Sequence, residues 1–300
     1  MALSVVVTAH GSGVELAPLL DADGARNAGA LLRGFAHPDL SGELLARIAR
    51  LSLESLLIGV LATVLAVVFG VVAAALCVRL PGLEEAPDRA PLARALAGAA
   101  RFAVRGALAF FRSVPDVVWA LLFVRMIGLG PGPAVLAIAL TTGAIFGKLF
   151  AELAEAVEPE SIRALRRIGV GRLGILTHAV LPQIWQQWTG FAFYHLECSV
   201  RSASILGIVG AGGLGTEIAL DMRYFEYDKL ATALLAVIAF VVAIEIASWV
   251  LRRRPFRVTL WLGGLGAVVA AVRLEIPWSQ LTTQLIPSWL TGGDAPGAGF

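Results

Sequence analysis

Lysine is nearly missing from this chain of 300 residues: two lysines stand against 22 arginines. Charge of any kind is scarce. Asp, Glu, Lys and Arg make up 15% of the sequence, where a soluble domain carries about a quarter. Hydrophobic residues reach 58%, and the mean hydropathy is +0.80. That balance excludes an ordinary water-soluble domain. The two cysteines, Cys77 and Cys198, both sit inside apolar segments, which excludes a disulfide framework or a thiolate metal centre. A net charge of +2, with no basic tract interleaved with aromatics, argues against nucleic acid. The opening MALSVVVTAHGSG lacks the positive start and the long apolar core of a signal peptide, so insertion is expected to depend on internal spans.

What is present is a series of apolar runs near the ~20 residues that a bilayer core requires. Leu56–Val78 is the first. Residues 92–111 are amphipathic, with Arg94, Arg101 and Arg105, and lead into Val114–Ile127. Pro115 either starts that span or kinks one longer helix. Pro133–Phe150 is the third span, Gln183–Val209 an unusually polar fourth, Leu230–Leu251 the fifth and Val258–Val272 a shorter sixth. Trp278 and Trp289 beyond it suit a membrane interface, and the tail from Gly292 reads as disordered.

Arginine placement orients the chain. Arg79, Arg89 and Arg94 flank one side of the first two spans. Lys148, Arg163, Arg166, Arg167 and Arg172 gather after the third, and Arg252, Arg253, Arg254 and Arg257 follow the fifth. Alternating spans put all three groups on one side, expected to be cytoplasmic. The N-terminal arginines, Arg26 to Arg50, run against the trend.

Between the third and fourth spans lies a polar island, EPESIRALRRIGVGRLGILTHAVLPQI, from Glu158 to Ile184. Pro159 suits a first helical turn and Glu158 its positive end. Ile162, Leu165 and Ile168 fall on one helical face, with Arg163, Arg166 and Arg167 turned away. Gly169 can adopt the left-handed conformation that ends a helix. Leu181-Pro182 closes the unit.

This island resembles the EAA coupling loop of ABC-importer permeases: Glu-Ala-Ala, three residues, Gly, nine residues, Ile, one residue, Leu-Pro. Ala164, Gly169, Leu181 and Pro182 fall in register. Arg163 replaces the Glu, Leu165 the second Ala, and Ala179 the Ile. The runs FFRSVPDVVWALLFVRMIGLGPGPAVLAIAL at 110–140 and RSASILGIVGAGGLGTEIALDMRYFEYDKL at 201–230 resemble phosphonate-type permeases. The similarity covers roughly residues 40–251. Methionine-type permeases share the fold but lack the Pro-Asp-Val-Val-Trp and Arg-Ser-Ala-Ser-Ile-Leu-Gly runs. Segment 261–286 resembles the first helix that such permeases carry ahead of their core.

The resemblance implies an all-α integral membrane protein with the transmembrane fold of type I ABC importers, about six spans around a five-helix core. Residues 1–51 would be an N-terminal extracytoplasmic or interfacial segment. Residues 52–251 would be the transmembrane domain, with its coupling loop at 158–182, and 252–300 an added helix and tail. The implied function is a permease subunit of the bacterial inner membrane that imports phosphonate or a related phosphorus oxyanion by alternating access. The implied partners are a second permease subunit, two cytoplasmic ATPases that carry ATP and magnesium, and an extracytoplasmic binding protein. This chain itself would hold no cofactor. A methionine- or sulfonate-type importer is the nearest alternative. A membrane enzyme or scaffold is the reading from another class, but no buried His/Glu metal set is visible.

Three groups of candidate residues follow. The first is the ATPase-coupling set, Glu160, Arg163, Ala164, Gly169, Leu181 and Pro182. The second is a polar stripe in the fourth span: Tyr194, Glu197, Arg201 and Ser204 at i, i+3, i+7 and i+10. Intramembrane charge pairs and usually faces a bundle interior or a water-filled path. Glu197 and Arg201 can pair with each other, either to lock packing or to offer Arg201 to an anion, and both readings stay open. Arg112, with Asp116 four residues on, is a second pair, more simply an arginine snorkelling to headgroups. The third group is an outer loop of Gly210, Gly212, Gly213 and Gly215, expected to face the binding protein.

Gly210–Gly215 matches GxGxxG without strand–turn–helix context, and Gly143–Leu149 falls one residue short of a phosphate loop. Neither reads as a nucleotide site. His195 has no second ligand for a metal, and Glu245 reads as structural.

Overall fold

The computed structural model describes residues 22–79, 91–252, 256–274 and 276. Trp278, Trp289, the tail from Gly292, Arg89, Arg253 and Arg254 lie outside these. No strand occurs among the described residues. The helices are α1 Ala22–Ala36, α2 Gly42–Cys77, α3 Pro91–Ser113, α4 Asp116–Ile127, α5 Pro131–Glu155, α6 Pro159–Arg167, α7 Arg172–Ile175, α8 Leu181–Leu206, α9 Gly215–Tyr224, α10 Tyr227–Arg252 and α11 Phe256–Arg273.

Helix α2 has 36 residues and so runs about 54 Å, well beyond a hydrocarbon core of about 30 Å. Its charged residues, Glu43, Arg47, Arg50 and Glu54, all fall in the first thirteen positions. The rest is uncharged and crosses. The backbone is helical through positions 51 and 52, so the expected boundary between the N-terminal segment and the core is not a structural break. The approach is an extension of the first span.

Helices α3 and α4 meet at 90°. Pro115 is the cap residue of α4 and sits at the corner, because its ring bars the α conformation from Val114 and removes a backbone donor. Of the two expected roles, a new start and a kink, Pro115 fills both.

Helix α5 is the most enclosed: 72% of its most apolar stretch is buried, against 22% for α10. Small residues make this possible, since lipid gives helices little hydrophobic reason to associate and close approach must supply the attraction. A Cβ on Gly70 would come within 2.5 Å of Phe146 Cβ, and one on Gly143 within 2.4 Å of Phe69. A Cβ on Gly59 would meet Val200 of α8. The glycines of the apparent phosphate loop are therefore helix-packing positions. Rings tie α5 to α8: Phe146 stacks on Phe150 at 5.0 Å, and Phe150 on Trp188 at 4.3 Å.

By length and composition, three helices can cross a membrane (α2, α5 and α10), or four if α3 and α4 form one broken span. Helix α8 is long enough with 26 residues, but Gln183, Gln186, Gln187, Glu197 and Arg201 make it polar. It packs against α2, α5 and α10. Gly263–Arg273 of the last helix is a shorter apolar helix and lies along α2, with Ala267 and Ala270 buried.

Candidate functional site

The polar island folds as α6, a glycine turn, α7 and a five-residue π-helical turn, Leu176–Val180, that runs directly into α8. Pro159 opens α6 and Glu160 lies in its first turn, complementing the positive end of the helix. The C-terminal end is a Schellman motif. Gly169 has φ +80°, its N–H donates to Arg166 O at 2.9 Å, and Val170 N–H donates to Leu165 O at 3.1 Å.

Ile162 is fully buried and Leu165 half-buried, as the periodicity predicts. Ile168 differs. Helix α6 ends at Arg167, so Ile168 turns outward and is 75% exposed, as is Leu173. Arg163 and Ala164 are exposed, Leu181 is half-buried and Pro182 exposed. The island thus presents two bare aliphatic side chains beside a row of arginines.

Two contacts fasten this unit to the spans. Gln183 Nε2 in α8 donates to Ser161 Oγ in α6 at 3.2 Å. Arg172 Nη2 donates to the carbonyls of Ala75 and Val78, each at 3.2 Å, at the end of α2. Sequence reasoning missed both contacts. Gln183 carried a usable signal, a polar residue directly after Leu-Pro. Arg172 carried none.

The polar stripe of α8 splits. Glu197 Oε1 accepts from Arg201 Nη2 at 2.8 Å, with side-chain exposures of 12% and 49%. Tyr194 is exposed and Ser204 buried, its hydroxyl returned to Val200 O at 3.0 Å. The geometry explains the division. At 100° per residue, Tyr194 and Arg201 lie about 20° apart, whereas Glu197 and Ser204 lie about 60° and 80° from Tyr194. The stripe is the edge of a face: its outer members look out and its inner members enter the protein. Phe191, Ile205 and Ile208 continue the exposed side.

Arg112 is exposed at the end of α3 and forms no ion pair with Asp116, whose carboxylate instead accepts from Val117 N–H at 3.0 Å. The 90° corner at Pro115 destroys the i, i+4 spacing that the pairing assumed.

The glycine loop is firmly built. Gly210, Gly212 and Gly213 have φ of +87°, +78° and +78°. Leu214 N–H donates to Ser55 Oγ of α2 at 2.9 Å, and Gly130 N–H donates to Gly210 O at 3.1 Å. Gly213 and Gly215 are buried, and a Cβ on Gly215 would meet Ser204 O at 2.3 Å. The glycines shape this end of the molecule. Its exposed surface includes Leu129, Met222, Arg223, Tyr224 and Phe225.

Beneath that surface, Glu217 is 3% exposed and pairs with Arg47 at 3.2 Å. Asp221 is buried beside it with Oδ2 unpartnered. Burial, then the neighbouring Glu217 and Glu226 carboxylates, raise the Asp221 pKa to about 6. Among the described residues no group of three or more His, Cys, Asp or Glu is placed to hold a metal ion. His195 packs edge-on against Phe146.

The sequence profile of a family described as "binding-protein-dependent transport system inner membrane component" matches residues 90–257. The chain belongs to this family. As such it is a transport component embedded in a membrane, and its fold is that of the type I ABC importers.

Two relatives and one solved structure refine the picture. A "phosphate-import permease protein PhnE" of Mycolicibacterium smegmatis is 32% identical over 92% of this chain, which spans about half (52%) of that protein. A "phosphite transport system permease protein PtxC" of Stutzerimonas stutzeri is 35% identical over 75% of this chain and 76% of its own length. Among solved structures, an inward-facing "MetNI methionine ABC transporter" aligns with a TM-score of 0.57 at 22% identity, covering 71% of this chain and 98% of that one. That likeness is one of fold alone.

Proposed function

We propose that this chain is the membrane-spanning permease subunit of an ATP-driven importer for phosphonate or a related phosphorus oxyanion. The observation that carries the reading is the island: a short, glycine-terminated helix hydrogen-bonded to both α8 and α2. The names of the phosphate- and phosphite-transporting relatives support the substrate class.

The partners would be a second permease subunit, two cytoplasmic ATPases that bind ATP and magnesium, and an extracytoplasmic binding protein in a bacterial inner membrane. Arg163, Ala164, Ile168 and Leu173 would enter a groove on the ATPase. Closure of the ATPases would move α6 as a rigid piece, since its end is locked by Gly169. Gln183 and Arg172 would pass that motion to α8 and α2, reorienting the spans around a central path. Tyr194 and Arg201 would face that path, with Glu197 holding the guanidinium so that an anion is attracted without being trapped. The glycine loop would support the opposite surface, where Met222–Phe225 receive the binding protein.

The test is uptake by proteoliposomes that hold this chain with its ATPase and binding protein. Phosphonate, phosphite or phosphate should stimulate ATP hydrolysis and accumulate inside. Stimulation by methionine or a sulfonate, with none by the phosphorus anions, would replace the substrate assignment.

A further inference from the structure

A long apolar groove runs down the outside of α2. Its cavity volume is about 610 Å³. Val64, Val68 and Val71 of α2 form one wall and Trp185, Trp188 and Leu196 of α8 the other. Leu173, Thr177 and Val78 line one end, and Gly263 and Gly264 of α11 line it as well. From Val60 to Val78 the α2 wall is about 27 Å long, close to the thickness of a hydrocarbon core. Val68, Val72 and Leu76 on the same helix are more than half exposed.

At the Val78 end the chemistry changes abruptly. Arg172, next to Leu173 of the groove lining, donates to Ala75 O and Val78 O. Arg105 donates to Cys77 O at 3.2 Å and pairs with Glu155. Arg79 gives its backbone N–H to the same carboxylate at 2.6 Å. Three arginines, Arg79, Arg105 and Arg172, therefore stand at this end around one carboxylate among the described residues, a surplus of two positive charges. The carbonyl end of α2 offsets only about half a charge. Each guanidinium has five N–H donors, so Arg79 and Arg172, both exposed, keep donors to offer.

We propose that this groove holds one anionic phospholipid, its acyl chain between α2 and α8 and its phosphate on Arg79 and Arg172. The apolar wall is more than long enough for the tail, which spans about half a hydrocarbon core, and the arginine cluster answers the headgroup. An apolar helix of a partner would fill the groove but leave the charge unanswered, and a free phosphate would do the reverse. The inference requires only a membrane-embedded chain and is independent of the transported substrate.

The experiment uses the full-length chain, purified in detergent and stripped of lipid. Phosphatidylglycerol, phosphatidylcholine with the same acyl chains, and inorganic phosphate are added separately. Bound lipid is counted by native mass spectrometry, and melting temperature is followed in parallel. One phosphatidylglycerol per chain should be retained, at least tenfold tighter than phosphatidylcholine, and phosphate alone should do nothing. R79Q/R172Q should weaken phosphatidylglycerol binding roughly thirtyfold and leave phosphatidylcholine unchanged. V68W/V71W fills the groove at exposed positions with every arginine intact, so it decides the matter even should R79Q/R172Q fail to fold. It should lose both lipids. Three results would overturn the proposal: equal retention of the two lipids, stabilisation by phosphate alone, or phosphatidylglycerol held as tightly by V68W/V71W as by the unaltered chain. In the reconstituted membrane, a photocrosslinker at position 68 should label lipid, and labelling of a protein helix instead would also overturn it.

Discussion

Gln183 Nε2 lies 3.2 Å from Ser161 Oγ, joining the first turn of the polar fourth span to the first turn of the island helix. Where the two elements are pinned together, a push on one becomes a displacement of the other. Gln183→Leu should break this tie without disturbing a buried position. ATP hydrolysis in the reconstituted complex should persist while substrate uptake falls several-fold. Unchanged uptake per ATP would show that the contact carries no force.

Gly169 should tolerate no β-branched residue. Its φ of +80° is one that valine adopts at a cost of about 1–3 kcal/mol. A Cβ there meets nothing within 4 Å, so the penalty is conformational and local. Gly169→Val should unwind the Schellman end of α6 and uncouple ATP hydrolysis from uptake, whereas Gly169→Asn should retain much of both. Equal coupling ratios in the two variants would refute the conformational account.

The Glu197–Arg201 pair separates a structural role from a functional one. Arg201→Ala strands a carboxylate that is 12% exposed, and with Arg201 itself 49% exposed the loss falls below the about 3–5 kcal/mol of a fully buried pair. Reduced expression is the expected result. The double change Glu197→Gln with Arg201→Gln keeps polarity and approximate volume. It should assemble and hydrolyse ATP yet fail to accumulate phosphonate. Uptake close to that of the unaltered chain would remove Arg201 from the path.

Asp221 sets a pH dependence of known sign. Its pKa is about 6 in the folded chain against 3.8 unperturbed. Between those values the folded state binds more protons than the unfolded one, so stability falls as pH rises from about 4 to about 6 and levels off above. Asp221→Asn should abolish that slope and raise the melting temperature at pH 7.5 by on the order of 2–4 °C. Melting curves at pH 5 and 7.5 provide the check. A slope that persists in the variant would assign it to another group.

Gly70 and Gly143 should be sensitive positions where α2 meets α5. The added Cβ atoms would meet Phe146 Cβ at 2.5 Å and a Phe69 ring carbon at 2.4 Å. Gly70→Val should cost about 1–3 kcal/mol through overpacking and separate α2 from α5. The yield of folded protein on size-exclusion chromatography reports it, and a normal yield would contradict such close packing.

What the sequence made legible was governed by backbone chemistry and composition. Apolar runs marked α2, α5 and α10 because a bilayer sets both length and polarity. Gly169 marked the end of α6 because left-handed backbone favours glycine. Finer details escaped because they depend on where an element stops. One residue beyond α6, Ile168 faces outward, although its spacing matched Ile162 and Leu165. The Arg112–Asp116 pair needed one continuous helix, and Pro115 bent it. Ser204 shared a stripe with Tyr194, yet 80° of rotation was enough to bury it. The grip of Arg172 on α2 joins residues 94 or more positions apart, which no local pattern encodes.

The π-helical turn at Leu176–Val180 has a consequence for how this protein can vary. Such a turn closes its hydrogen bonds one residue further on than the α-helix around it. At 100° per residue, that one residue is a rotation of α7 relative to α8. The angular phase between the island and the span is thus encoded by a count of residues and not by side-chain identity. Deleting Thr177 would reset that phase and swing Arg172 away from Ala75 and Val78, a larger change than any substitution at the same position. The segment should accept exchange of its letters far more readily than a change in their number.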